Sequence, residues 1–228
     1  MKAIVFDIGG TLMEYRNMPY VWFEYYEKAF AEMAEKLGLS LSDSDLSRSL
    51  EILRSYNPGI NYREIDYLPE KIFGDVTAHW RTDIPLSDII TEFFGALHLK
   101  ALIYPESVEV LKELKRRGLI IGTYTNVVSG MPDEMHQGYF IELLPYFDIY
   151  VSSVNCGFRK PHPRGLEIIA EKYSLMPCDM LFVGDEKKDP ETARRFGCRS
   201  VLINRSENKR EFGQDHTVKD LRELYDLI

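Results

Sequence analysis

Cysteine is scarce in this chain. The 228 residues hold three, Cys156, Cys178 and Cys198, with no C-x-x-C spacing among them. An odd count at such spacings argues against a disulfide framework and against zinc, and it predicts buried free thiols in a reducing compartment. Long apolar runs are missing too, so no stretch is suited to spanning a bilayer. The apolar run ahead of Asp7 is too short for a secretory signal. These absences lead to the expectation of a soluble, cytoplasmic protein with no membrane partner. Positive charge is in deficit: 28 Lys and Arg stand against 36 Asp and Glu, for a net charge of -8. That balance argues against nucleic acid as the main partner, because phosphate backbones need a basic surface. It leaves room for a local cationic site that holds a small anion. Internal repeats and low-complexity segments are absent as well.

What the chain does have is 45% hydrophobic residues, enough for one large domain or for a core plus a smaller insert. It opens on an unbroken apolar run, Ala3-Ile4-Val5-Phe6, followed at once by Asp7 and then Gly9-Gly10. Such a run suits a strand covered on both faces, as in a parallel sheet. Glycines after it allow a tight turn and close approach of backbone to a ligand. A carboxylate at the end of such a strand sits where open α/β sheets bind ligands. Taken alone, the stretch is equally an ordinary Asp-x-Gly turn.

After Leu12 the pattern turns helical. Phe23, Tyr26, Phe30, Met33 and Leu37 recur every three or four residues from Trp22, with Gly38 as a stop. This aromatic stripe reads as helix core rather than pocket lining. Leu46, Leu50 and Leu53 mark a second helix capped by Ser42 or Asp43. A third runs from Tyr62 to Trp80 with a break near Pro69, and a fourth from Pro85 to near Leu99. Residues 13 to 100 therefore read as all-helical.

From Tyr104 onward strands and helices alternate. The strands are Leu119–Tyr124, Phe147–Ser152, Met180–Val183 and Arg199–Ile203. The helices between them cover Pro105 to Arg117, Pro132–Leu144, Arg164–Tyr173 and Pro190–Phe196, and an amphipathic helix over Val218–Leu227 closes the chain. Alternation of this kind predicts a doubly wound parallel sheet.

Polar residues mark the C-terminal tips of three strands: Asp7, Thr125-Asn126 and Gly184-Asp185. Lys160 lies in the loop after another strand, and Asp189 follows Asp185 by four residues. On one edge of a parallel sheet these groups can converge. Clustered carboxylates make a hard-oxygen site suited to Mg²⁺. A threonine hydroxyl, the Asn126 backbone N–H and an ammonium can hold phosphoryl oxygens. Singly, each has an ordinary reading as a helix cap, a loop charge or a capping pair.

In this order the residues resemble the four motifs of the haloacid dehalogenase-like hydrolase superfamily, in the branch with a helical cap inserted after the first motif. Asp7 to Thr11 matches the first motif, Ile120 to Thr125 the second, Lys160-Pro161 the third, and Gly184, Asp185 and Asp189 the fourth. The resemblance implies a Rossmann-like core formed by residues 1–13 and 101–228, with residues 14–100 as the cap. It implies that Asp7 is a nucleophile forming an aspartyl-phosphate, that Thr125 binds the phosphoryl group beside the Asn126 N–H noted above, and that Lys160 offsets the negative charge of Asp7 and the bound phosphate. It further implies Mg²⁺ held by Asp7, Asp185, Asp189 and the backbone carbonyl of Gly9. The reaction implied is hydrolysis of a small phosphorylated metabolite, and either a monomer or a homodimer is compatible with it.

The chain departs from that pattern at Gly9. Phosphatases of the superfamily carry an Asp there, which protonates the leaving oxygen and then activates water. Such acid–base help is worth about 10²–10⁴-fold, or about 3–5 kcal/mol. The sequence thus predicts slow turnover of alkyl phosphates and the least impairment on good leaving groups. Glu14 and Glu186 are the nearby carboxylates that could substitute, though each also reads as a surface acid. Three other readings stay open: a metal-independent haloacid dehalogenase, a phosphonoacetaldehyde hydrolase using Lys28, Lys36 or Lys71 of the cap, and a non-catalytic binder of phosphate or protein. Met18, Tyr20 and Tyr25 lie near enough to Asp7 in sequence to line its pocket.

Overall fold

The structure is a computed structural model that describes residues 1–16 and 23–228. Met18, Tyr20 and Trp22 lie outside the described residues.

The opening run forms strand β1 (Ala3–Phe6), and all four of its residues are shut off from solvent. It pairs in parallel on one side with β4 (Ile120–Thr125) and on the other with β6 (Met180–Gly184), with Phe6 opposite Thr123 and Val183. Beyond these lie β5 (Ile149–Ser152), β7 (Arg199–Ile203) and β8 (His216–Val218), giving a six-stranded sheet in the order β5-β4-β1-β6-β7-β8 with every pairing parallel. The sheet side chains alternate by face, as strand geometry requires. Ile4, Phe6 and Ile8 pack with Leu111 and Leu114 of α5 (Pro105–Arg116) and with Leu221 and Leu224. Ala3 and Val5 face the other way, toward Leu166 and Ile169 of α8 (Arg164–Tyr173).

Among the described residues, four helices stand between β1 and α5: α1 (Phe23–Lys36), α2 (Asp43–Ser55), α3 (Pro69–Thr77) and α4 (Leu86–Gly95). Ser42 caps α2 in a reciprocal pair with Asp45. The four share an aromatic core centred on Phe93, whose ring lies 4.7 Å from Phe30 and 5.2 Å from both Phe73 and Phe94. Val127 and Met131, from the loop after β4, pack into the same cluster. The helical layer therefore sits against the loops at the C-terminal edge of the sheet.

Several elements differ from the sequence reading. Met13 starts no helix: Met13–Tyr15 is a short strand, β2, antiparallel to β3 (Ala101–Ile103). Three residues are too few to show a two-residue period. The Gly10 turn sets β2, since the Gly10 N–H donates to the Met13 carbonyl at 2.7 Å. The helix expected from Tyr62 exists only from Pro69, because proline favours the first helical position and holds the residue before it extended. The Pro132–Leu144 helix is cut to α6 (Asp133–Gly138), followed by a 3₁₀ turn at Leu144–Tyr146. The tail expected as a helix is instead β8 plus a 3₁₀ helix over Leu221–Asp226, so the sheet has a sixth strand. All three thiols are free, but they are not all buried: Cys198 is buried, Cys156 half-buried and Cys178 exposed. Among the described residues no helix is long and apolar enough to cross a membrane.

Candidate active site

Because β1, β4 and β6 are adjacent and parallel, their tips fall on one edge, with Asp7, Thr125 and Asp185 side by side around a cavity of about 650 Å³. Two glycines make this close packing possible. Gly10 has a φ of +76°, and a Cβ there would lie 2.2 Å from an Asp185 oxygen. A Cβ on Gly184 would lie 2.3 Å from the Asp189 carboxylate. Gly9 is different: a Cβ there would meet nothing within 4 Å.

Lys160 ties the site together. Its Nζ lies 2.7 Å from Asp7 Oδ1 and 2.7 Å from Asp189 Oδ1, and its side chain is fully out of water. Asn126 fixes the lysine's backbone from both sides. Its Oδ1 accepts from the Lys160 N–H at 2.8 Å, and its Nδ2 donates to the Lys160 carbonyl at 3.3 Å. This work of the Asn126 side chain was not foreseen from sequence, which pointed to its backbone N–H. Asp189 lies in the first turn of α9 (Lys188–Phe196), and its second oxygen accepts from the Glu186 N–H at 2.8 Å. Both Asp189 oxygens are therefore engaged, while Asp7 and Asp185 face the cavity.

Around Lys160, three carboxylates face one ammonium. Burial opposes the Lys160 charge, but Asp189 and Asp7 outweigh it and hold the lysine above its ordinary range. Burial raises Asp189 as well, in spite of Lys160. Burial, then the charges of Asp7 and Asp189, push Asp185 up to about 8. Asp7, Asp185 and Asp189 each offer an oxygen, and all three lie within 4.8 Å of one another. An all-oxygen set with surplus negative charge fits a hard divalent cation, which would remove the reason for Asp185 to keep a proton.

The remaining walls come from several elements. Tyr26, Asn57 and Pro58 contribute from the helical layer, so Tyr26 of the aromatic stripe serves core and cavity alike. Glu14 and Glu186 do line the cavity; Tyr104 donates to Glu14 at 3.1 Å, and Glu186 is paired with Lys188. Lys28, Lys36 and Lys71 are exposed and do not line it. Residues missed by the sequence reading are Arg159, His136 and Arg205. Arg159 is buried against Asp66 at 2.5 Å. Arg205 stacks on Tyr104 at 3.7 Å and donates to the Thr11 carbonyl at 3.0 Å. It sits just past the tip of β7, so the strand-end rule that found Asp7 and Asp185 applies to it too. His136, inside α6, carries no such signal.

The family model of haloacid dehalogenase-like hydrolases matches residues 1–197. The chain belongs to this family. Among curated relatives of this hydrolase, the phosphoglycolate phosphatase of Salmonella choleraesuis is 27% identical over 124 residues, 54% of this chain and 47% of that protein. The phosphoglycolate phosphatase of Escherichia coli K12 is 30% identical over 99 residues, 43% of this chain and 38% of that protein. The hydrolase thus spans about half the length of the curated relatives it matches. Its fold is shared with a HAD phosphatase from Thermococcus onnurineus, at a TM-score of 0.65 and 21% identity over 100% of this chain and 97% of that one. A dehalogenase solved with an intermediate complex gives 0.61 and 23% over the same shares.

Proposed function

We propose that the chain is a Mg²⁺-dependent phosphatase of a small phosphorylated metabolite, working through an aspartyl-phosphate on Asp7. The observation that carries this reading is the buried Lys160 ammonium bridging Asp7 and Asp189 at 2.7 Å each, beside a cavity that Asp7, Thr125 and Asp185 share. A carboxylate can attack an anionic phosphoryl group only where cations cancel the repulsion, and phosphoryl transfer depends mostly on such charge placement. Asp7 attacks phosphorus, Lys160 aligns Asp7 and offsets negative charge beside it, and Thr125 with the Asn126 backbone N–H binds the phosphoryl oxygens. Asp7, Asp185 and the Gly9 carbonyl would hold the metal, with Asp189 steering Lys160 and any metal-bound water. Bound there, Mg²⁺ supplies charge neutralisation for the phosphoryl group. Residues 14–100 act as a cap over a core made of residues 1–13 and 101–228. The reading also implies a cytoplasmic enzyme, since its substrate is a metabolite.

The test is hydrolysis of p-nitrophenyl phosphate. Activity that requires Mg²⁺ and disappears in Asp7→Asn supports the reading. Metal-independent release of chloride from a 2-chloroacid, with no phosphatase activity, would replace it with the dehalogenase reaction.

A further inference from the structure

The proposed phosphatase lacks a proton carrier at Gly9, and the cavity holds one elsewhere. His136 lines the same cavity as Asp7 and Gly9, and it is 4% exposed. Its Nδ1 lies 2.9 Å from the Tyr150 hydroxyl, and that hydroxyl lies 3.0 Å from Asp133 Oδ1. Tyr150 has one proton to give. An ionised Asp133 can only accept, so Tyr150 donates to Asp133 and its oxygen accepts from Nδ1–H. Burial raises Asp133 above the ordinary carboxylate range, while Ser152 and Tyr150 favour its charged form. With Nδ1 protonated, Nε2 of a neutral ring carries a lone pair. No described residue donates to it. Burial holds the ring neutral, down to about 4, and Asp7 across the cavity pulls the other way. The ring is packed edge-on to Phe140 at 5.0 Å, which limits its rotation. The polar groups around it are Asp133 on its own helix, Tyr150 on β5, and Asp7 and Tyr15 on the cavity wall.

We infer that His136 is the general base of this hydrolase, taking over from the missing carboxylate the activation of water against phosphorylated Asp7. The inference rests on the aspartyl-phosphate reading. Water oxygen bonds to phosphorus, the bond from phosphorus to the Asp7 oxygen breaks with its electron pair returning to the carboxylate, and one water proton passes to Nε2. The imidazolium is steadied by Tyr150 and Asp133, then releases its proton to solvent. Tyr150 and Asp133 are positioning residues. A neutral Nε2 carries no proton for the first step, so the leaving oxygen departs unassisted.

The test has two arms. On the metal-free protein, ¹⁵N NMR of His136 at pH 7 should report the Nδ1–H tautomer, shifting toward Nε2–H in Tyr150→Phe. Nε2–H in the parent would overturn the inference without any variant. In the second arm, p-nitrophenyl phosphate with Mg²⁺ is followed before steady state. His136→Ala should keep a burst of one nitrophenolate per enzyme and then turn over about 10²-fold or more slowly, and adding Asp in Gly9→Asp should restore the rate. His136→Gln is read in the same way if the alanine variant fails to fold. An unchanged steady rate in the His136 variants, with Asp7→Asn inactive, overturns the inference but leaves the phosphatase reading intact. An active Asp7→Asn overturns both.

Discussion

The Lys160 ammonium lies 2.7 Å from an Asp7 oxygen in a position that water does not reach. The contact is also 2.7 Å to Asp189, so one cation serves two buried carboxylates. Removing one partner of a buried ion pair leaves the other uncompensated and costs about 3–5 kcal/mol. Lys160→Met should therefore lower the unfolding free energy of the metal-free protein, read from urea denaturation, by an amount of that order, and abolish phosphatase activity. A variant as stable as the parent would mean that the lysine carries little of the site's electrostatic balance.

Two adjacent glycines should respond in opposite ways. Gly10→Ala sets a methyl group against Asp185 at 2.2 Å on a backbone with positive φ, so it should lose both stability and metal affinity. Gly9→Asp enters open space and supplies an acid–base group next to Asp7. It should raise turnover of alkyl phosphates about tenfold or more. Thermal melts and steady-state rates on both variants check the pair.

Asp185 makes the metal-free protein sensitive to pH. Its ordinary carboxylate value is 3.8 and the fold lifts it to about 8, through burial and then the charges of Asp7 and Asp189. Between those values the folded state binds more protons than the unfolded state, so stability falls as pH rises from about 4 to about 8. Mg²⁺ should therefore stabilise most near and above pH 8, and its binding near pH 7 should release protons. Melting temperatures with Mg²⁺ and with EDTA from pH 5 to 8.5 test this, and Asp185→Asn should flatten the metal-free curve.

Phe93 is the hub of the helical core, in ring contact with Tyr26, Phe30, Phe73 and Phe94. Truncating it leaves a large cavity, and Phe93→Ala should cost about 3–5 kcal/mol. Chemical denaturation measures that loss.

Much of this was legible in the sequence, for physical reasons. Buried parallel strands are apolar throughout, which marked Ala3–Phe6 and Met180–Val183, and the polar residue after each run marked the sheet edge that carries Asp7 and Asp185 around the cavity. Lys160 was found by its motif, and the structure brings it onto Asp7. What stayed hidden depends on contacts remote in sequence. The strand Met13–Tyr15 exists because Ala101–Ile103 returns beside it. His136 reaches the cavity because β5 lies next to β4 and presents Tyr150 to α6. The tail strand His216–Val218 is set by its pairing with β7, not by any pattern of its own.

The most direct measurement is acid-quenched mass spectrometry of the protein during turnover of p-nitrophenyl phosphate with Mg²⁺. The account predicts one phosphoryl group on the peptide that carries Asp7, and none in Asp7→Asn. Turnover that leaves Asp7 unmodified, or a phosphoryl group on another residue, would contradict it.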